Sequence, residues 1–234
     1  MNEVLIIARK EFKELLTNRS AVILGAVISC VFALSYGFTL ASGNPDEAIF
    51  PLDTTIFFIS AMLGIFMSYT FDAQIFLREK VDKVIETLLC SPVTLRQVWF
   101  GKTLGASFIS YLISLGAMAV LIAVVSFKDS ALVLPSASIF VYMILVVPVF
   151  IAAFAGLYGL AQMVLGLREN RFIGLIIFIP LFIGLSAIPT LVGSGLSISW
   201  LPVGIVFAAS ILLILLSAFL SRFISKERII TTLS

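Results

Sequence analysis

"REKVDKVIETLLCSPVTLRQVWFGK", residues 78–102, is a charged island in a chain whose other long stretches are apolar. From Arg78 to Cys90 the apolar side chains fall at Val81, Val84, Ile85, Leu88 and Leu89, the i, i+3, i+4, i+7, i+8 spacing of one helical stripe. Arg78, Glu79, Lys80, Asp82, Lys83 and Glu86 occupy the rest of that helix. Ser91-Pro92 stops it, because a proline pushes the residue before it out of helical geometry. Thr94 and Gln97 then fit a capping box, whose two side chains satisfy free backbone amides at a helix start. The stretch reads as helix, sharp turn, helix, and the second helix runs on into apolar sequence.

On either side lie runs of about 20 apolar residues, the length needed to cross about 30 Å of hydrocarbon at about 1.5 Å per residue. They are Ala21–Leu40, Thr54–Phe71, Thr103–Phe127, Ser138–Leu167, Phe172–Leu191 and Leu201–Phe223. The 234-residue chain is 61% hydrophobic and 12% charged, with a mean hydropathy of +1.18. Soluble domains carry roughly 45–50% apolar residues. The expectation is an all-α integral membrane protein: one membrane domain over 1–234 with six transmembrane helices, multi-pass in the cell membrane. The first 19 residues are too polar for the apolar core of a signal peptide, so no cleaved leader is expected.

Lysine and arginine set the expected orientation. Arg9, Lys10, Lys13 and Arg19 precede the first run, and Arg78, Lys80, Lys83, Arg96 and Lys102 separate the second from the third. Arg168 and Arg171 follow the fourth, and Arg222, Lys226 and Arg228 close the chain. Only Lys128 falls on the other side, with Asp46, Glu47, Asp53 and Asp129. Positive-inside bias places both termini and residues 78–102 in the cytoplasm. The basic residues thus serve topology and form no nucleic-acid-binding face. Cys30 lies within a span and Cys90 in a reducing compartment, so no disulfide is expected, and the Asn18-Arg19-Ser20 sequon stays unglycosylated.

The chain has no histidine. Metal sites want His, Cys and carboxylate clusters, and nucleophilic sites want a base beside Ser or Cys; neither can be assembled here, so no catalytic, metal or cofactor residues are assigned. Gly101-Lys102-Thr103 resembles the end of a phosphate-binding loop, but the glycine required five positions before Gly101 is replaced by Arg96. An ion-gradient carrier would need an ionisable group at bilayer depth. The only candidate is Asp72, read as a helix-end carboxylate reaching toward the headgroups, and gradient coupling is disfavoured.

Three further elements are legible. Leu5, Ala8, Phe12, Leu15 and Leu16 share one face of an amphipathic helix over 1–19, expected to lie in the inner membrane interface. Gly25, Ser29, Ala33 and Gly37 repeat every four residues along the first span, a small-residue face suited either to packing within the chain or to a dimer. Leu185 to Ser199 is interrupted by Pro189, Gly193 and Gly195. That segment is either a broken, re-entrant-like element forming an outer gate or a plain extracellular loop.

Glu79, Ile85-Glu86-Thr87-Leu88-Leu89, Ser91-Pro92-Val93 and Gly101-Lys102 together resemble the signature of the type-two ABC transporter permeases. In that family an acidic residue, a Thr-Leu-Glu-Leu-Leu-like helix, a Ser-Pro or Thr-Pro turn and a Gly-Lys follow the second span. Lys10-Glu11-Phe12 in an N-terminal amphipathic helix, six spans, cytoplasmic ends and a broken segment before the last span are also similar. Lys83-Val84 stands where many members carry Gly-Thr. The resemblance implies that Glu79, Val84, Ile85, Glu86, Thr87, Leu88, Leu89, Ser91 and Pro92 belong to a coupling helix seated on a separate nucleotide-binding ATPase, which would hold the ATP and Mg. It also implies a second permease subunit and outward transport. From the residues alone, the same stripe could instead lie on lipid or under the chain's own loops. A membrane anchor or scaffold recruiting a cytoplasmic protein is the alternative function. The apolar spans point to a hydrophobic or amphipathic substrate.

Overall fold

The computed structural model describes residues 2–42, 52–81, 93–128, 133–166 and 198–223, together with positions 172, 179 and 183. Every regular element among them is helical. Helix α1 covers Asn2–Thr17 and α2 covers Arg19–Ser42. Helix α3 runs Leu52–Val81 through a π-helical turn at Ala73–Leu77, and α4 is Leu95–Lys128. Helix α5 runs Ala137–Val164 through a second π-turn at Tyr142–Val146, and α6 is Trp200–Leu220, ending in a 3-10 turn at Ser221–Phe223. The second π-turn has a visible cause. Pro148 has no N–H to offer the carbonyl four residues back, so the helical ladder widens just ahead of it.

Five helices are long and apolar enough to cross a membrane: Arg19–Leu40, Leu52–Val81, Leu95–Lys128, Ala137–Val164 and Trp200–Leu220. The sixth expected span, Phe172–Leu191, lies outside the described residues apart from its three isolated positions, as do Pro189, Gly193 and Gly195.

From Thr54 to Phe71 helix α3 is apolar on all sides, and a helix of that kind belongs in the middle of a bundle. It is buried almost throughout, between α2, α4 and α5. One half of the core gathers Ile56, Leu63, Met118, Leu121, Tyr142 and Ile151; the other gathers Met67, Phe71, Phe76, Trp99, Leu160 and Met163. Interhelical bonds to main-chain carbonyls join the helices, from Ser114 Oγ to Ser60 O (3.2 Å), Tyr142 Oη to Phe57 O (3.2 Å) and Trp99 Nε1 to Gly156 O (3.0 Å). Helix α6 packs on α5 and leaves Leu201, Ile205, Leu212 and Leu215 exposed.

The small-residue face of α2 is turned inward. A Cβ at Gly25 would come within 3.0 Å of Met67 Sδ, and one at Gly37 within 3.1 Å of Val124 Cγ1. Ser29 and Ala33 are buried between them. The chain's own α3 and α4 fill this face.

Helix α1 packs on α4. Glu3 meets Gln97, Ile7 meets Gly101 and Glu11 meets Gly105, so each four-residue step along α1 matches a four-residue step along α4. Helix α1 therefore lies lengthwise beside the start of α4, pointing the same way. The side chains it turns inward are Val4, Ile7, Ala8, Glu11, Phe12 and Leu15, while Leu5 and Leu16 are exposed. At Asn18 the helix is interrupted and the chain continues as α2 along the same α4, with Asn18 Nδ2 donating to Gln74 Oε1 at 3.1 Å.

Candidate functional site

The end of the bundle that carries residues 78–102 is built from α1, the end of α3 and the start of α4. Helix α4 starts as its sequence predicts. Thr94 N donates to Gln97 Oε1 (2.9 Å) and Gln97 N donates to Thr94 Oγ1 (3.3 Å), the reciprocal pair of a capping box. Gln97 Nε2 also donates to Glu3 Oε2 at 2.7 Å, which fixes the first turn of α1 to the first turn of α4.

Two turns further on, Gly101 and Gly105 clear a trough for α1. A Cβ on Gly101 would lie 2.6 Å from Ile7 Cγ2 and 3.1 Å from Val4 O, and one on Gly105 would lie 3.2 Å from Ala8 O. Small residues four apart permit this backbone approach. Between them stands Lys102, 2% exposed. Its Nζ lies 3.1 Å from Glu11 Oε1 on α1 and 2.5 Å from Glu79 Oε1 on α3, and 5.9 Å from the centre of the Phe76 ring. An ammonium withdrawn from water needs such partners, because an unpaired buried charge is not tolerated. One side chain therefore ties together three helices.

The neighbouring Lys80 is also buried, and its Nζ donates to Leu165 O at the end of α5, 2.5 Å away. Trp99 reaches α5 from α4 through Gly156 O. Beside the Lys102 cluster, α1 and α3 enclose a polar crevice of about 160 Å³ lined by Lys10, Glu11, Glu14, Asn18, Gln74 and Glu79.

Of the coupling residues expected from sequence, Glu79 is placed here, held by Lys102. Val84, Ile85, Glu86, Thr87, Leu88, Leu89, Ser91 and Pro92 lie outside the described residues. The segment that holds them is flanked by Glu79 on one side and by the Thr94–Gln97 cap and Lys102 on the other, so both of its ends spring from braced helices. Lys80, Trp99 and Gly105 were not singled out by sequence. Gly101 and Gly105 were readable as a small-xxx-small pair; the roles of Lys80 and Trp99 depend on partners more than 50 residues away and leave no local signal.

Asp72 is placed otherwise than expected. It is not at a helix end reaching outward: α3 continues to Val81, and Asp72 is fully buried on its inner side. Ser68 Oγ donates to Asp72 Oδ2 at 3.4 Å, and Oδ1 has no hydrogen-bond partner. Among the described residues no three His, Cys, Asp or Glu side chains converge on a point where a metal ion could bind.

At the opposite end of the bundle, Ser136 N donates to Asp53 Oδ1 (3.1 Å), joining the starts of α3 and α5, and Lys128 ends α4. No protein-family model matches the chain, and no curated protein matches it either.

Proposed function

We propose that this chain is the membrane-spanning permease subunit of an ATP-driven exporter of the type-two ABC class. In this reading it pairs with itself or a related chain and is moved by separate ATP-binding subunits seated on residues 82–92. Both termini and the Lys102 end face the cytoplasm. The substrate is hydrophobic or amphipathic, and its path lies between the two permease subunits.

The observation that carries the reading is the Lys102 link. A partner that hydrolyses ATP can move a membrane protein only through a stiff contact, and coupling between distant sites requires packed elements that move together. Residues 82–92 leave α3 just after Glu79 and return to α4 just before its cap, and Lys102 joins Glu79 to Glu11 across both. A push on that segment is delivered to α1, α3 and α4 at once. The apolar stripe of Val84, Ile85, Leu88 and Leu89 supplies the anchors for a groove on the partner.

The test is purification of the chain from its native membranes in mild detergent, wild type beside Leu88→Asp, with the co-purifying proteins identified and ATP hydrolysis measured. An ATPase that accompanies the wild type and is lost with Leu88→Asp supports the coupling role. Wild type that emerges with no ATPase, under conditions that keep other membrane complexes whole, overturns it in favour of a non-transporting scaffold.

A further inference from the structure

A second polar locus sits in the bundle, apart from the Lys102 cluster. Asp72 on α3 is fully buried, and no part of it reaches solvent. Ser68, one turn earlier, and Gln162 on α5 are buried to the same degree. Tyr158, also on α5, pairs with Gln162 and Tyr69 and lies close enough to Asp72 to sense its charge. The Tyr69 and Tyr158 rings are 5.2 Å apart. The result is a small group of oxygen-bearing side chains shared by α3 and α5.

Among the described residues, none makes an ion pair with Asp72. Of the titratable groups among the described residues, Tyr158 on α5 interacts with the Asp72 charge. Of the two buried ammonium groups among the described residues, Lys80 donates to Leu165 O and Lys102 binds Glu11 and Glu79. Asp72 Oδ1 accepts nothing, and Oδ2 accepts one long bond. A carboxylate in an apolar interior requires a compensating positive charge. The π-helical turn begins at the next residue, Ala73, and such turns are frequent at functional positions.

We propose that the Asp72 carboxyl is a buried binding site for a small cation, either a proton or an alkali ion, with Ser68 as its positioning partner. The proposal is independent of the ATPase reading. A cation bound in the folded protein and not in the unfolded chain stabilises the fold by mass action. A proton site makes the wild type less stable as pH rises, since the proton that neutralises the buried carboxyl is lost; an alkali-ion site makes it more stable as that ion is added.

The experiment is thermal unfolding of the purified full-length chain in detergent, wild type beside Asp72→Asn. One series varies pH at fixed salt, and the other replaces choline chloride by sodium or potassium chloride at fixed pH and ionic strength. A wild-type Tm that falls with rising pH while Asp72→Asn responds less identifies the proton. A Tm that rises with sodium or potassium in wild type alone identifies the alkali ion. Equal responses of the two proteins in both series, including no response, overturn the proposal. If Asp72→Asn does not fold, Ser68→Ala replaces it: the midpoint of the wild-type titration must shift, and an unchanged midpoint overturns the proposal.

Discussion

Lys102 carries a positive charge almost out of reach of water, held by one carboxylate that precedes it by 91 residues and another that precedes it by 23. Removing one partner of a buried ion pair costs about 3–5 kcal/mol, mostly because the other charge is stranded. Lys102→Met strands two. It is expected to lower the thermal stability of the purified protein by that order, and adding Glu11→Gln to it should restore part of the loss. Strictly additive effects in that double-mutant cycle would show that the two side chains do not act on each other. Asp72 shows why the same chemistry is hard to read from sequence. An acidic residue eight positions before another charged residue, Lys80, reads as the polar end of a span, whereas the helix continues through a π-turn and both side chains are buried in it.

Helix α4 exposes a contrast between glycines of the same element. Gly116 has open space where a Cβ would go, so Gly116→Ala is expected to stabilise by about 0.5–1 kcal/mol through helix propensity alone. Gly101 has Ile7 and the Val4 carbonyl at that point, and Gly101→Ala is expected to destabilise, at about 1–3 kcal/mol for overpacking, in spite of the same propensity gain. Thermal unfolding of the two variants side by side checks the opposite signs; a stabilised Gly101→Ala would mean that α1 does not sit in the trough. The start of α4 was legible in sequence because a capping box is local, four residues long and chemically specific. The docking face of α1 was not. Val4, Leu5, Ile6 and Ile7 are all apolar and conceal which direction is inward, and the face that is buried includes Glu11, which a hydrophobicity pattern assigns to water.

The bundle has two chemically distinct ends. One gathers Glu11, Lys102, Glu79, Lys80 and Gln74; the other carries Asp53, Ser136 and Lys128. If the first end is cytoplasmic, a Lys128→Cys substitution in a chain whose Cys30 and Cys90 are replaced should react with a membrane-impermeant maleimide in intact cells, and Lys13→Cys should react only after permeabilisation. The reverse labelling would invert the orientation and remove residues 82–92 from reach of a cytoplasmic ATPase. The division into apolar spans was legible because membrane helices announce themselves by length and composition. Which span is central was legible only in outline: α3 and α6 are both strongly apolar, yet α3 is enclosed and α6 leaves a broad face uncovered.

The lengthwise docking of α1 on α4 also bears on how the protein is made. Glu3 and Gln97 are 94 residues apart, so during synthesis α1 emerges long before the trough at Gly101 and Gly105 exists. At about 5–20 residues per second the wait is roughly 5–20 s. Through that interval Glu11 has no Lys102 to meet, and two spans enter the membrane ahead of the one that receives α1. The amphipathic character of α1, with Leu5, Ile6 and Leu16 still exposed in the finished fold, gives it a lipid surface on which to wait. Closing the Lys102 link thus waits for the start of α4, and it completes that end of the bundle only once the helix that carries the trough has been made.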